Sequence, residues 1–172
     1  ILIVMFVIGL NLGTQPIIGF NYGAKLYVRM FTTLKYASII ATVFTCIGFI
    51  LGTFYPTYIV TLFSNDVKFQ AIAAKALQIS VFMFPIKGFQ IVLTNFIQSV
   101  GKAKLSIFIS FTYEFLFLIP ALLFLPPKFG LNGVWAALPF SDGLAAIITG
   151  VSFYYFYIKF KENNQEIPTN DN

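Results

Sequence analysis

The sequence predicts an all-α integral membrane protein with five transmembrane helices. Of its 172 residues, 58% are hydrophobic and 10% are charged, and the mean hydropathy is +0.84. A soluble domain carries about 25% charged residues, so this composition cannot cover a water-facing surface. Residues 1–24 and 36–65 contain no charge, and about 20 apolar residues are enough for a helix to cross a bilayer. The apolar runs lack the alternation of a membrane β-barrel.

Five apolar segments mark the predicted spans, at about 1–22, 36–58, 77–101, 105–125 and 133–157. The basic stretch 25–35 between the first two spans is predicted to be a loop or a short amphipathic helix. Residues 64–75 are predicted to form a polar turn that leads into another helix, and Pro126-Pro127 ends the fourth span. Residues 159–172 form a short polar tail that we expect to be disordered.

Basic residues are unequally divided between the two ends of these spans. The loops on one side of the membrane hold seven of them and the loops on the other side hold three, and Lys87 lies inside a span. By the positive-inside rule the richer set faces the cytoplasm, which places the chain's start outside and its tail inside. The seven basic residues of the richer set are Lys25, Arg29, Lys35, Lys102, Lys104, Lys159 and Lys161.

Three ionisable residues interrupt the last three spans, and helical rise places them at one depth: Lys87, Glu114 and Asp142. A charge in the hydrocarbon costs several kcal/mol unless a partner receives it. One interpretation is a buried ion-pair network that fixes helix register. A second is a water-accessible cavity for a cation or proton, in which Lys87 is a tethered counter-charge to the two acids. A third is that Asp142 caps a helix near an interface.

Prolines and polar side chains in the same spans favour a solute pathway. A proline inside a helix leaves a backbone carbonyl without its hydrogen bond. Within the membrane such a carbonyl must face protein or a water-filled cavity. The prolines in these spans are Pro16, Pro85, Pro120 and Pro139. We therefore expect kinks at these four prolines. The polar pathway candidates beside the three ionisable residues are Gln90, Asn95 and Gln15, with Thr94 and Gln98 nearby.

Other classes of function lack the residues they need. The sequence has no His and a single Cys46 in an apolar run, so it predicts no metal site and no disulfide. It has no phosphate-binding loop and no acid pair in the sequence context of an intramembrane protease, so we expect no enzyme and no cofactor. The formal charge of +5 is spread over short loops rather than one face, which argues against nucleic-acid binding.

Three stretches resemble one transporter family. They are GLNLGTQPIIGFNYGAK, FIQSVGKAKLS and FLFLIPALLFLPPKFGLNGVWAALPFSD, and their joint order is similar to that of the multidrug and toxic compound extrusion (MATE) transporters, with the bacterial MepA-like branch as the nearest match. The resemblance implies that the five spans correspond to helices 8 to 12 of a twelve-helix protein. Since Ile1 lies inside an apolar run with no basic segment before it, we also expect a C-terminal fragment that begins within a longer chain.

The resemblance implies a secondary active antiporter in the bacterial inner membrane. Such a protein exports amphipathic or cationic compounds in exchange for H⁺ or Na⁺, through a cavity between two six-helix lobes. The expected partners are a small-molecule drug or cation, the lipid bilayer and the missing N-terminal lobe. Some family members carry a cation-site acid near the position of Lys87. Because the ammonium group of a lysine cannot coordinate Na⁺, this chain departs from that type of Na⁺ site.

Two alternatives remain open at the level of sequence. One is a lipid-linked saccharide flippase of the same superfamily, although such proteins have a strongly basic central cavity and only Lys87 is central here. The other is a membrane scaffold without transport, in which Lys87, Glu114 and Asp142 are purely structural.

Overall fold

The computed structural model describes residues 2–163, and the described part is a bundle of helices without strands. Helix α1 covers Leu2–Gly23, α2 Tyr27–Phe54, α3 Pro56–Thr61, α4 Val67–Ser80 and α5 Phe84–Ser99. Helix α6 covers Ala103–Phe111, a π-helical segment Thr112–Leu118, α7 Ile119–Phe124, α8 Pro126–Phe129 and α9 Leu131–Asn163. The predicted disorder of residues 164–172 lies outside the described part of the chain.

The helices make a multi-pass membrane protein. Four continuous helical stretches are long and apolar enough to cross a bilayer: Leu2–Gly23, Tyr27–Phe54, Ala103–Phe129 and Leu131–Lys161. Helices α4 and α5 form a fifth span that is bent by 53°. The predicted number of five spans and the all-α class are therefore confirmed.

Two predicted boundaries differ from the structure because charged residues do not end a membrane helix. Helix α2 begins at Tyr27 rather than Tyr36, so the stretch predicted as a loop or a short amphipathic helix supplies its first turns. Helix α9 continues through residues 159–163, which the sequence assigned to the tail. Lys and Arg are good helix formers, and near a helix end their long side chains can reach the interface.

The bend between α4 and α5 has a local cause. Asp66 caps the start of α4 by accepting a hydrogen bond from the Lys68 backbone N–H at 2.9 Å, so the third span begins ten residues before the predicted Leu77. The helix then breaks at residues 81–83, just before Pro85. Proline lacks an N–H and its ring clashes with the carbonyl of residue i−4. It therefore sits in the first turn of α5 rather than inside a continuous helix.

The buried core lies where α1, α2, α5 and α9 meet. Its members are Val7, Ile18, Met30, Leu34, Ala37, Ala41, Val92, Leu93, Phe96, Val100, Phe156 and Phe160. Helices α2 and α5 approach closely at Gly88, where an added Cβ would lie 2.9 Å from the Ala41 carbonyl oxygen and would collide with the Thr45 side chain. This close approach fixes the rotation of α5 and so the direction in which Lys87, one residue earlier, points.

Candidate functional site

A cavity of about 340 Å³ opens between α1, α5, α6, the π-helical segment and α9. Polar residues from every one of these elements reach it, together with aliphatic side chains of α1, α5 and α6. The lining residues are Ile8, Asn11, Leu12, Lys87, Gln90, Ile91, Thr94, Asn95, Gln98, Ser106, Ile109, Ser110, Tyr113 and Asp142.

Helix α5 supplies the polar face of the cavity. Its lining residues recur at spacings of three and four, from Lys87 through Gln90, Thr94 and Asn95 to Gln98. Residues three or four apart lie on one face of an α-helix, so the sequence itself places these side chains in one stripe. The opposite face of α5 buries Val92 and Phe96 in the core.

The strongest polar contact is an ion pair between Lys87 and Asp142. The Lys87 ammonium donates to both carboxylate oxygens, at 3.0 Å to Oδ1 and 2.9 Å to Oδ2. The Asp142 side chain is 3% exposed, whereas Lys87 keeps 22% of its side chain exposed toward the cavity. Two charges in the hydrocarbon region are held there at a much lower cost than either alone. Among the described residues this is the one salt bridge.

Tyr113 completes the surroundings of the ion pair. The Lys87 ammonium lies 5.8 Å from the centre of the Tyr113 ring, within the range of a cation–π contact. Tyr113 is on the π-helical segment, and such segments are frequent at functional sites because they turn side chains out of the regular helical register.

Hydrogen bonds between helices hold the rest of the cavity wall. The Asn95 side-chain amide donates to the Asn11 backbone carbonyl at 3.3 Å, and the Ser106 hydroxyl donates to the Thr94 carbonyl at 3.3 Å. Two buried amide oxygens, Asn11 Oδ1 and Gln90 Oε1, have no hydrogen-bond partner within the described part of the chain. A buried acceptor without a donor is costly, so the wall retains capacity to bind hydrogen-bond donors.

The structure separates the predicted site residues into two groups. Lys87, Asp142, Gln90 and Asn95 line the cavity together. Glu114 is exposed on the π-helical segment and Gln15 is half-buried on α1, and neither is among the residues that line the cavity. Lys87 pairs with Asp142 and not with Glu114. Asp142 is buried in the interior of α9, so it does not cap a helix near an interface.

The four candidate kink prolines also behave differently. Pro85 follows the 53° break, and Pro120 is the second residue of α7, which begins where the π-helical segment ends. Pro16 and Pro139 lie inside the continuous helices α1 and α9. A proline therefore coincides with irregular helix geometry at two of the four positions.

Sequence reasoning missed Asn11, Ser106, Ser110 and Tyr113 as cavity residues. Asn11 is a polar residue in a run of 24 uncharged residues, and it is 5% exposed, so its position within an apolar helix was an available signal. Serine is common in membrane helices and gives no comparable signal. Tyr113 is the one tyrosine in the middle of a predicted span, but the sequence offers no reason to pair it with Lys87.

Comparison with known proteins gives one consistent family. The family model MatE matches residues 1–123. The MATE multidrug transporter DinF-BH, in a structure with a bound compound, is 37% identical, with a TM-score of 0.81 over 89% of this chain and 35% of that chain. No curated protein matches the chain.

More distant structures share the fold. The Vibrio cholerae MATE transporter VcmN, in its bent form, is 17% identical, with a TM-score of 0.80 over 90% of this chain and 35% of that one. An inward-facing MATE family transporter of the MOP superfamily is 18% identical, with a TM-score of 0.79 over 94% of this chain and 38% of that one. The chain thus spans about a third of the length of the structures it matches. With five membrane spans, four of which line a charged polar cavity, and a family match over residues 1–123, the chain belongs to the MATE family, whose members are transporters and not enzymes.

Proposed function

We propose that the chain is part of a secondary active multidrug efflux antiporter, which exports amphipathic or cationic compounds in exchange for H⁺ or Na⁺. The observation that carries this proposal is the Lys87–Asp142 ion pair, which is held within the membrane-spanning bundle and opens onto a polar cavity. Charged residues inside a membrane span are costly and are typical of ion and substrate pathways.

The ion pair has the chemistry of an exchangeable site. A proton, a Na⁺ ion or the ammonium group of a substrate can compete with Lys87 for the Asp142 carboxylate, and each would release the Lys87 ammonium into the cavity. Lys87 has a flexible four-carbon stem and 22% of its side chain already faces the cavity. The carboxylate therefore can change partner without a rearrangement of the helices.

The cavity wall suits amphipathic compounds. Its volume of about 340 Å³ falls in the range of about 300–1,000 Å³ that is usual for small-molecule sites. Ile8, Leu12, Ile91 and Ile109 provide apolar contact area, while the unpartnered Asn11 and Gln90 oxygens can accept hydrogen bonds from a cationic group. The 37% identity to DinF-BH, a multidrug transporter, supports this proposal by relationship.

The same proposal places the protein in the bacterial inner membrane with its C-terminal end in the cytoplasm. It also gives this chain an N-terminal lobe as its partner, since the matched structures are about three times as long. The ion pair argues against the saccharide flippase, because Asp142 neutralises the only basic residue among those lining the cavity. A neutralised cavity has little attraction for a sugar diphosphate.

The test is Asp142→Asn in the full-length protein, with drug accumulation measured in an efflux-deficient bacterial strain. Amide replacement removes the exchangeable charge but keeps the shape of the side chain. A hydrogen bond to a charged group contributes about 1.5–3 kcal/mol, so we expect the initial efflux rate to fall roughly tenfold or more.

The matched control is Asp66→Asn, the same change at the exposed cap of α4. Asparagine caps a helix about as well as aspartate, so this variant should export normally. Full efflux by Asp142→Asn, at equal membrane abundance of the two variants, would remove the ion pair from the mechanism.

A further inference from the structure

A second cavity, of about 420 Å³, lies at the end of the bundle where α1 and α9 end and α2 and α6 begin. It is separate from the Lys87–Asp142 cavity and shares no residue with it. The lysines Lys102 and Lys159 line its mouth. This is the more basic end of the molecule, with seven Lys and Arg residues in its loops and helix ends.

The two lysines place two positive charges beside the cavity. Both are exposed, and within residues 2–161 neither forms a salt bridge. They reach the cavity from different helices, Lys102 from the residue preceding α6 and Lys159 from the last turns of α9. Gly101 has a φ of +78°, a left-handed conformation that favours glycine, and it sets the turn that leads into Lys102.

Tyrosines form the wall beside the lysines. Tyr27 meets Phe160 edge to face, with ring centres 4.7 Å apart, and Tyr22 lies 6.5 Å from the same ring. These ring contacts fix the wall, and Tyr155 adds a third phenol. No hydrogen bond joins the hydroxyls of these three tyrosines to another described residue, so they remain available as donors.

The deeper part of the cavity is apolar. Leu105 and Phe156 also line it, and each lies three residues further into the membrane than the lysine on its own chain segment. At a rise of 1.5 Å per residue this is about 4.5 Å. From the surface inward the cavity therefore presents two ammonium groups and then apolar side chains, with the phenols of Tyr22, Tyr27 and Tyr155 on its walls. A phospholipid presents its phosphate and then its acyl chains in the same order.

We infer that this cavity binds the headgroup of an anionic phospholipid, with Lys102 and Lys159 on the phosphate and Leu105 and Phe156 against the start of the acyl chains. Basic pockets between transmembrane helices at the cytoplasmic side are sites for acidic headgroups, and tyrosine is favoured at the same level of the membrane. The inference goes beyond the proposed transport function and does not depend on it.

The test uses the full-length protein in neutral detergent, titrated with phosphatidylglycerol or phosphatidylcholine, with bound lipids counted by native mass spectrometry. For the double variant Lys102→Gln/Lys159→Gln we expect phosphatidylglycerol to bind roughly tenfold more weakly or worse, the size expected when two basic side chains leave an anionic lipid. Phosphatidylcholine binding should not change.

The matched control is Lys68→Gln/Lys75→Gln, which removes two exposed lysines from α4 at the opposite end. This variant has the same net charge and should bind phosphatidylglycerol as the unaltered protein does. Equal loss in both double variants would overturn the site, because net charge alone would then explain the binding. Displacement of the lipid by millimolar inorganic phosphate would also overturn it, in favour of a soluble anion.

A second variant protects the test against a folding defect. Tyr22→Phe/Tyr155→Phe keeps both rings and removes two hydroxyl donors from the cavity. We expect it to keep the helical content of the unaltered protein and to bind phosphatidylglycerol several-fold more weakly. Unchanged affinity in this variant together with unchanged affinity in Lys102→Gln/Lys159→Gln would refute the inference.

Discussion

At the scale of single residues, the arrangement of Lys87 and Asp142 ties stability to function. The carboxylate is nearly inaccessible, and both of its oxygens accept from the same ammonium group. A buried ion pair is expensive to break from one side but cheap to replace as a whole by apolar side chains of similar size. Stability and transport can therefore be separated by choosing which partners are removed.

We expect Asp142→Leu to lower the free energy of unfolding in detergent by about 1–3 kcal/mol, because it leaves Lys87 without its partner. The double variant Lys87→Met/Asp142→Leu should recover most of this loss, yet it should not restore efflux. Chemical unfolding and drug accumulation measure the two effects separately. A double variant that exports drug normally would favour the scaffold interpretation, in which the charges are purely structural.

The role of Glu114 as an ion carrier stays a prediction. Its side chain is exposed and lies outside the cavity, although its neighbour Tyr113 lines it. We therefore expect Glu114→Gln to reduce efflux less than Asp142→Asn does at equal membrane abundance. A larger loss for Glu114→Gln would mean that the carboxylate outside the cavity carries the coupling ion.

At the scale of helices, α5 is the element on which the site depends. Pro85 begins it after a 53° bend, Gly88 fixes its contact with α2, and its polar face lines the cavity. A membrane helix has no hydrophobic drive to associate with another helix, so close packing of small residues holds such a pair together.

We expect Gly88→Ala to destabilise the protein by about 1–3 kcal/mol, since the new methyl group would press on the Ala41 carbonyl and on Thr45. Gly150→Ala in α9 is the control, because its added methyl group meets nothing within 4 Å. The melting temperature in detergent should fall for the first variant and not for the second. Equal melting temperatures would show that α2 and α5 can separate at no cost.

At the scale of the whole molecule, the basic residues predict how the bundle sits in the membrane. Seven lie at the end that contains Lys102 and Lys104, and three lie at the other end, with Lys128 among them. The turn with Lys104 follows the third span and the turn with Lys128 follows the fourth. The two turns must lie on opposite sides of the membrane, because the fourth span crosses it once.

We expect a cysteine introduced by Lys104→Cys to react with an impermeant maleimide only after the cells are opened. A cysteine introduced by Lys128→Cys should react in intact cells. Both are made in the full-length protein after Cys46→Ala, which removes the one native thiol of this segment. The reverse pattern of labelling would invert the orientation and place the C-terminal end outside.

The sequence alone determined the all-α membrane class, the five spans and the presence of three ionisable residues inside those spans. Apolar length and the cost of an intramembrane charge are properties of composition and of position along a helix, so they are visible without coordinates. The resemblance to MATE transporters was confirmed by the family match over residues 1–123 and by the 37% identity to DinF-BH over 89% of the chain, whereas the MepA-like branch stays a prediction.

Only the tertiary structure decided which acid meets Lys87. Neighbouring residues of an α-helix point about 100° apart, so a small change in rotation decides which side chain faces inward. The contact of Gly88 with α2, the break before Pro85 and the π-helical segment around Tyr113 set those rotations. Each depends on packing between helices rather than on the local sequence. For that reason Asp142 became the partner and Glu114 stayed outside.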